Sequence, residues 1–129
     1  MTTKEIGDFG EDAAARFLKK KGYRILERNY RAGHNEIDII AQDRKDIVFV
    51  EVKTRTPNAL GVLPYGDPLE SVDTKKQRRT MDAASAYLCK CETALLPRFD
   101  IVEVFLKKTV LVSKPIVDRI RHIEDAFGS

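Results

Sequence analysis

Only two cysteines occur in these 129 residues, Cys89 and Cys91, and they stand two apart. That is too few for a disulfide framework or a four-ligand zinc site, so both read as ordinary thiols. Histidine is equally sparse, and His34 and His122 are isolated from one another. Neither is a favoured candidate for a catalytic base. No uninterrupted apolar run approaches the length of a membrane span, and no basic start is followed by an apolar segment, so the expected location is the cytoplasm. No charge of one sign dominates either: 23 Lys and Arg face 20 Asp and Glu, a net charge of +3. Affinity for nucleic acid must therefore come from local clustering rather than bulk charge. Internal repeats and linkers are also missing, and the length suits one domain with a real core.

Against these absences stand two runs rich in β-branched residues, 35–41 (NEIDIIA) and 47–53 (IVFVEVK), joined by a short polar link. They read as an antiparallel hairpin. With Arg44 and Lys45 at the tip, Asp38 lies opposite Glu51, Glu36 opposite Lys53, Ile39 opposite Val50 and Ile37 opposite Val52. Period-two alternation then makes one face aliphatic, while the other carries Glu36, Asp38, Glu51 and Lys53. Opposed residues have Cβ atoms about 5 Å apart, where two carboxylates repel by roughly 3 kcal/mol at an effective dielectric of 20. A cation removes that cost. Asp38 and Glu51 offer the hard oxygens that Mg²⁺ or Mn²⁺ prefers, and Lys53 is placed to stabilise hydroxide or charge on a phosphoryl group in flight. The chemistry suggested is metal-assisted phosphodiester hydrolysis; the plainer alternative is a solvated sheet face on which Lys53 bridges two acids.

An Asp followed on the next strand by Glu-x-Lys resembles the signature of the PD-(D/E)xK nuclease superfamily. The likeness extends through Gly7-x-x-Gly10-Glu11, Gly22-Tyr23, Arg28-Asn29-Tyr30, Glu36 to Ala41, Phe49 to Arg55, Lys76-Gln77, Ala86-Tyr87-Leu88 and Arg98-Phe99-Asp100. As a set, these features are similar to the small bacterial YraN-type family, described as endonuclease-like and close in fold to archaeal Holliday-junction resolvases. The resemblance implies a restriction-endonuclease-like α/β fold and a metal-dependent nuclease acting on nucleic acid, DNA before RNA, with branched DNA in repair or recombination as a substrate. It is compatible with a homodimer.

Periodicity and capping residues define the other elements. A helix from Lys4 to Lys21 ends at Gly22 and packs on the sheet, with Gly7 and Gly10 inviting close approach to another backbone. Glu11 on its flank is either a solvated charge or, as the resemblance also implies, a third acid leaning toward the metal. Tyr23 to Tyr30 forms the first strand. Thr54 to Pro68 reads as a long loop containing Arg55, which could contact a bound strand. A second helix, capped by Ser71 or Asp73 and running to about Cys89, turns Met81, Ala84, Leu88 and Gln77 inward, and the resemblance favours the site for Gln77. Lys75, Lys76, Arg78 and Arg79 crowd its first turns, where positive charge opposes the helix dipole and a phosphate backbone would relieve it. Arg98 to Leu106 is a further strand, with Val110 to Val112 as an optional continuation. Ile116, Ile120, Ile123 and Phe127 recur at helical spacing and predict a short C-terminal helix. The expected order is helix, three strands, helix, one or two strands, short helix, in a mixed sheet flanked by helices.

In the favoured mechanism Asp38 and Glu51 hold the metal, Lys53 orients or activates water, and Glu11 or Glu36 assists. Two other functions fit the sequence less completely. One is a binding module that keeps the fold without cutting nucleic acid. The other is a protein-interaction domain that uses the C-terminal helix.

Overall fold

A computed structural model describes residues 2–57, 72–107 and 115–128. The chain runs α1 (Thr3–Lys20), β1 (Arg24–Ala32), β2 (Asn35–Gln42), β3 (Asp46–Arg55), α2 (Thr74–Lys90), β4 (Leu96–Lys107) and β5 (Ile116–Phe127). The five strands form one sheet in sequence order. All neighbours pair antiparallel except β3 and β4, which run parallel because α2 carries the chain back between them. The fold is thus an α/β mixed sheet between two helices, as the sequence led us to expect.

Local chemistry sets the ends of the helices. Thr2 and Glu5 close a reciprocal capping box at the start of α1. At its other end Gly22, at φ 98°, turns the chain so that the Tyr23 and Gly22 N–H groups donate to the Leu18 and Lys19 carbonyls. Asp73 caps α2 by accepting from the Lys76 N–H at 2.8 Å. Ser71 lies outside the described residues.

Both faces of the sheet are apolar over most of its length. On one, Ala13, Ala14 and Leu18 of α1 pack on Ile39, Val48, Val50, Val102 and Val104. On the other, Ala83 and Ala84 of α2 pack on Ile37, Ile40, Ile47 and Phe49. The polar face expected for the hairpin is therefore confined to the far end of β2 and β3, where α2 has only begun.

Close approach of helix and sheet explains one glycine. A Cβ on Gly10 would lie 1.9 Å from Thr54 Oγ1 and 2.9 Å from Thr54 Cβ, whereas a Cβ on Gly7 meets nothing within 4 Å. A close approach occurs only at Gly10, and there to the side chain of Thr54 rather than to the backbone expected at both positions. Gly10→Ala should lower stability by about 1–3 kcal/mol through overpacking. Gly7→Ala should leave stability unchanged or raise it by up to about 1 kcal/mol. Urea denaturation midpoints of the two variants test this; equal shifts would refute the packing argument.

Two expectations are corrected. Residues 116–127 form β5, a strand along the edge of the sheet, and not a helix. Their helix-like spacing arises because the β4–β5 register slips twice, at Phe99/Ile101 and at Phe105/Leu106, and Asp125 adopts φ 52°. The slip at Phe105/Leu106 shifts the alternation, so Val117 and Ile120 both reach the α1 face, and from Ile120 the regular alternation carries Ile123 to the opposite one, which it shares with Phe127. The stretch after Lys53 also begins as strand, since β3 continues through Thr54 and Arg55. The rest of the expected loop, residues 58–68, and the Val110 to Val112 strand lie outside the described residues.

Candidate active site

The acids meet where the hairpin opens. The β2–β3 ladder runs from Gln42–Ile47 to Ile39–Val50, the register read from the sequence, with the turn at Arg44 and Lys45. Beyond it Asp38 Oδ2 accepts the Val52 N–H at 2.8 Å, so a side chain takes the place of a main-chain acceptor. The expected ladder pairs Asp38–Glu51, Ile37–Val52 and Glu36–Lys53 are consequently absent. Across β1 the same level is marked by Asn29, at φ 52°, between the pairs Arg28–Ile39 and Tyr30–Ile37. This irregularity puts Ile37 with the α2-side core, on the side of Ile40 rather than of Ile39. The strands part at their polar end, beside the carboxyl ends of the parallel pair, where ligands of open α/β sheets usually bind.

Glu51 is buried and carries two cations. Lys53 Nζ lies 3.5 Å from its Oε1, and Lys76 of α2 makes an ion pair with the same oxygen. Asp38 is half-buried, and burial, followed by the Glu51 charge, pushes its carboxyl up to about 7 against the help of the Val52 N–H. Burial also lowers Lys53, with the neighbouring Lys76 charge adding to the effect and Glu51 opposing it. For Lys76 burial acts downward too, but the hydrogen bond and charge of Glu51 outweigh it and the net direction is up. The centre is thus a small, tightly interacting set of two acids and two amines.

A cleft of about 530 Å³ opens from this point toward α1, lined among others by Gly7, Glu11, Asn29, Glu36, Asp38 and Lys53. Glu11 is buried; it accepts from Arg28 Nε and Nη2 at 3.2 and 3.1 Å and from Asn29 Nδ2 at 3.0 Å. Burial nonetheless raises its carboxyl. Glu36 is exposed at the rim, 3.8 Å from Arg31 Nη2. The structure therefore brings Asp38, Glu51, Lys53 and Glu11 into one region, with Glu36 at its edge.

Gln77 and Lys76 do not stand where helical spacing put them. Gln77 Nε2 donates to the Val72 carbonyl at 2.9 Å, a bond within its own helix start, while Lys76 enters the acid pair. The inward face of α2 centres on Thr80, Ala83 and Ala84, with Leu88 half-buried against the same core, so Ala84 and Leu88 of the expected face pack inward while Met81 is not among the core residues. Lys76 falls on that face one turn before Thr80. Lys75, Arg78 and Arg79 are exposed on the same helix. Arg55 is held at 3.2 Å by Glu103 of β4. Arg28, which the sequence flagged without a role, bridges Glu11 and Asp12.

The pattern of the Uncharacterised protein family UPF0102 matches residues 10–104. A UPF0102 protein of Clostridioides difficile is 43% identical over 128 residues, covering 98% of this chain and all of its own. One from Caldanaerobacter subterraneus is 42% identical over 128 residues, covering 98% of each chain. One from Symbiobacterium thermophilum is 48% identical over 103 residues, covering 79% of this chain and 83% of its own. Among solved structures, SfsA of Pyrococcus furiosus in complex with Ca²⁺ aligns with a TM-score of 0.41 and 15% identity, over 92% of this chain and 63% of that one. Because the match takes in α1 from Gly10 onward, the hairpin, α2 and most of β4, and relatives align over nearly the whole length, this chain belongs to the uncharacterised family UPF0102, the YraN family.

Proposed function

We propose that this protein is a metal-dependent nuclease that hydrolyses phosphodiester bonds of nucleic acid. The observation that carries the reading is the convergence of Asp38 and Glu51 at the opened end of the hairpin, with Lys53 against Glu51. Two acids that repel one another in partial burial form a cation site by default. Among the described residues no group of three or more His, Cys, Asp or Glu could hold a metal. An ion here would rest on two carboxylates, leaving positions for water and phosphate, which suits Mg²⁺ or Mn²⁺. Bound there, it would supply Lewis acidity and a lowered pKa for water.

The chain's own residues do the rest. Lys53, lowered by burial, holds its proton less tightly than a free lysine and is positioned to orient water or offset phosphoryl charge. Glu11, fixed by Arg28 and Asn29, faces the same cleft as Asp38 and adds negative charge on the helix side. Exposed Lys75, Arg78 and Arg79 contact the phosphate backbone in this reading, with DNA favoured over RNA, branched DNA as a substrate and the cytoplasm as the place of action. Paired as a homodimer, two such sites would suit a symmetric junction. Among the described residues no helix is long and apolar enough to cross a membrane.

One observation favours a second reading, a binding module that does not cut: Lys76 and Lys53 already neutralise Glu51 from inside. Metal entry then requires Lys76 to leave Glu51. The deciding experiment is cleavage of end-labelled linear, single-stranded, flapped and four-way-junction DNA with Mg²⁺ or Mn²⁺. Asp38→Asn and Lys53→Ala should each lose at least roughly a hundredfold in rate. Cleavage that survives in both variants, or is absent from the parent, would reject the nuclease reading.

A further inference from the structure

We infer that Arg119 and Arg121 of β5 form a second backbone-binding surface, anchored on Glu103 and Phe105, that takes phosphates of the strand held at the Asp38–Glu51 centre. The identity of the ligand rests on the nuclease reading above; the surface itself rests on register and contacts. Lys53 pairs across β3–β4 with Glu103, and Glu103 pairs across β4–β5 with Arg121. One step on, Arg55 pairs with Phe105, and Phe105 with Arg119. Two transverse rows thus cross three strands on the side that carries Glu51. At strand spacings of about 4.8 Å, Arg121 stands roughly 10 Å from Lys53.

Both arginines are exposed yet held. The Arg119 guanidinium lies 3.9 Å above the Phe105 ring, and Arg121 Nη1 lies 3.7 Å from Glu103 Oε1. Glu103 is 2% exposed, and its Oε2 accepts from Arg55 Nε at 3.2 Å. Its Oε1 is buried without a hydrogen bond among the described residues. A carboxylate in that position is costly and contributes little to folding. Its effect is to hold two guanidinium groups, from adjacent elements, beside Lys53. Charged side chains on an edge strand also discourage pairing between sheets, but that role needs neither a ring beneath Arg119 nor a buried acid beneath Arg121.

The partner follows from charge. Lys53, Lys76, Arg55, Arg119 and Arg121 gather at this end of the sheet against Asp38, Glu51 and Glu103. An extended polyanion fits such a strip, and a guanidinium fixed in direction binds phosphate through paired donors. Because residues 116–127 look helical in sequence, the register that aligns Arg121 with Lys53 becomes visible only in the structure.

The test is binding of fluorescein-labelled duplex and four-way-junction DNA by anisotropy in EDTA, across a sodium chloride series. Parent, Arg119→Ala, Arg121→Ala and Arg44→Ala are compared, the last removing an exposed arginine at the hairpin tip. Each β5 substitution should make the slope of log affinity against log salt shallower by about one, and weaken binding near 0.1 M salt by roughly tenfold. Arg44→Ala should bind as the parent does. Slopes for Arg119→Ala and Arg121→Ala equal to that of the parent would overturn the surface, even if Asp38→Asn abolishes cleavage and the nuclease reading stands. The expected slopes in a parent that never cleaves would uphold the surface and reject catalysis. A parent that binds no DNA would overturn the surface, and the cleavage assay with Mg²⁺ or Mn²⁺ would still decide the nuclease reading on its own.

Discussion

Asp100→Ala is expected to destabilise the protein by about 3–5 kcal/mol, the range for removing one partner of a buried ion pair. Asp100 is wholly buried on β4 and accepts four hydrogen bonds. They come from Arg98 Nε and Nη2 at 2.9 and 2.8 Å, from the Asp125 N–H at 2.9 Å and from His122 Nε2 at 2.6 Å. Arg98 in turn donates to Asp46 Oδ2 at 2.8 Å and to the Tyr23 hydroxyl at 2.6 Å. One carboxylate therefore ties β4 to the end of β5 and, through Arg98, to the start of β1 and of β3. Its removal takes two of the bonds from a guanidinium that is only 15% exposed, leaving it Asp46 and Tyr23, and leaves His122 without its acceptor. Against a typical total of about 5–15 kcal/mol, the loss is a large share.

The same bonds give the prediction a pH signature. Burial acts to raise the Asp100 carboxyl, but His122, Arg98 and the Asp125 N–H outweigh it and hold it below its ordinary value. A carboxylate depressed in the folded state contributes stability above its unfolded pKa and loses it as pH falls through the folded one. The parent should therefore keep the Asp100 contribution at neutral pH and shed it in strong acid, where the gap to Asp100→Ala narrows. Urea denaturation at neutral and strongly acidic pH measures both. A difference below about 1 kcal/mol at neutral pH would show that the network contributes little.

Such a network was beyond reach of the sequence. Arg98 and Asp100 are adjacent on one strand face, but Tyr23 lies 75 residues from Arg98 and His122 lies 22 from Asp100. Nothing in local periodicity joins them. The candidate site was legible for the opposite reason, since one tight turn relates β2 to β3 and the pairing Ile39–Val50 follows from counting outward. Counting fails where a side chain replaces a backbone acceptor, as Asp38 does at Val52. It fails in β5 as well, where bulges shift the alternation and hydrophobic positions drift into a helix-like spacing. For α2 the element was readable but its rotation was not. Met81, Ala84 and Leu88 suggested one face; Ala84 and Leu88 do pack on that core, but the helix is centred on Thr80, Ala83 and Ala84 against Ile40 and Phe49, which brings Lys76 to Glu51.

Asp38 should make the metal-free protein lose stability as pH rises from about 4 to 7. Its carboxyl is lifted from the ordinary 3.8 to about 7, first by burial and then by Glu51. Below both values the folded and unfolded chains each hold the proton, and the group has no effect on stability. Between them the unfolded chain releases its proton while the folded chain keeps it, so stability falls with rising pH; above about 7 the penalty is constant. Partial exposure and the tight interaction with Glu51 reduce the effect to roughly 2–4 kcal/mol. Asp38→Asn removes it, so the variant should be more stable than the parent at pH 8 and nearly equal at pH 4, a difference that cancels every other titrating group to first order. If the pair holds a divalent cation, Mn²⁺ competes with the proton for Asp38 and should restore stability to the parent at pH 8, less so at pH 5, and not at all to Asp38→Asn. Thermal melts of both proteins across this range, with and without Mn²⁺, supply the measurement. Parallel pH profiles for parent and variant would remove the electrostatic basis of the site, whereas divergent profiles that Mn²⁺ leaves unchanged would keep the strained acid pair and exclude Mn²⁺ as its ligand.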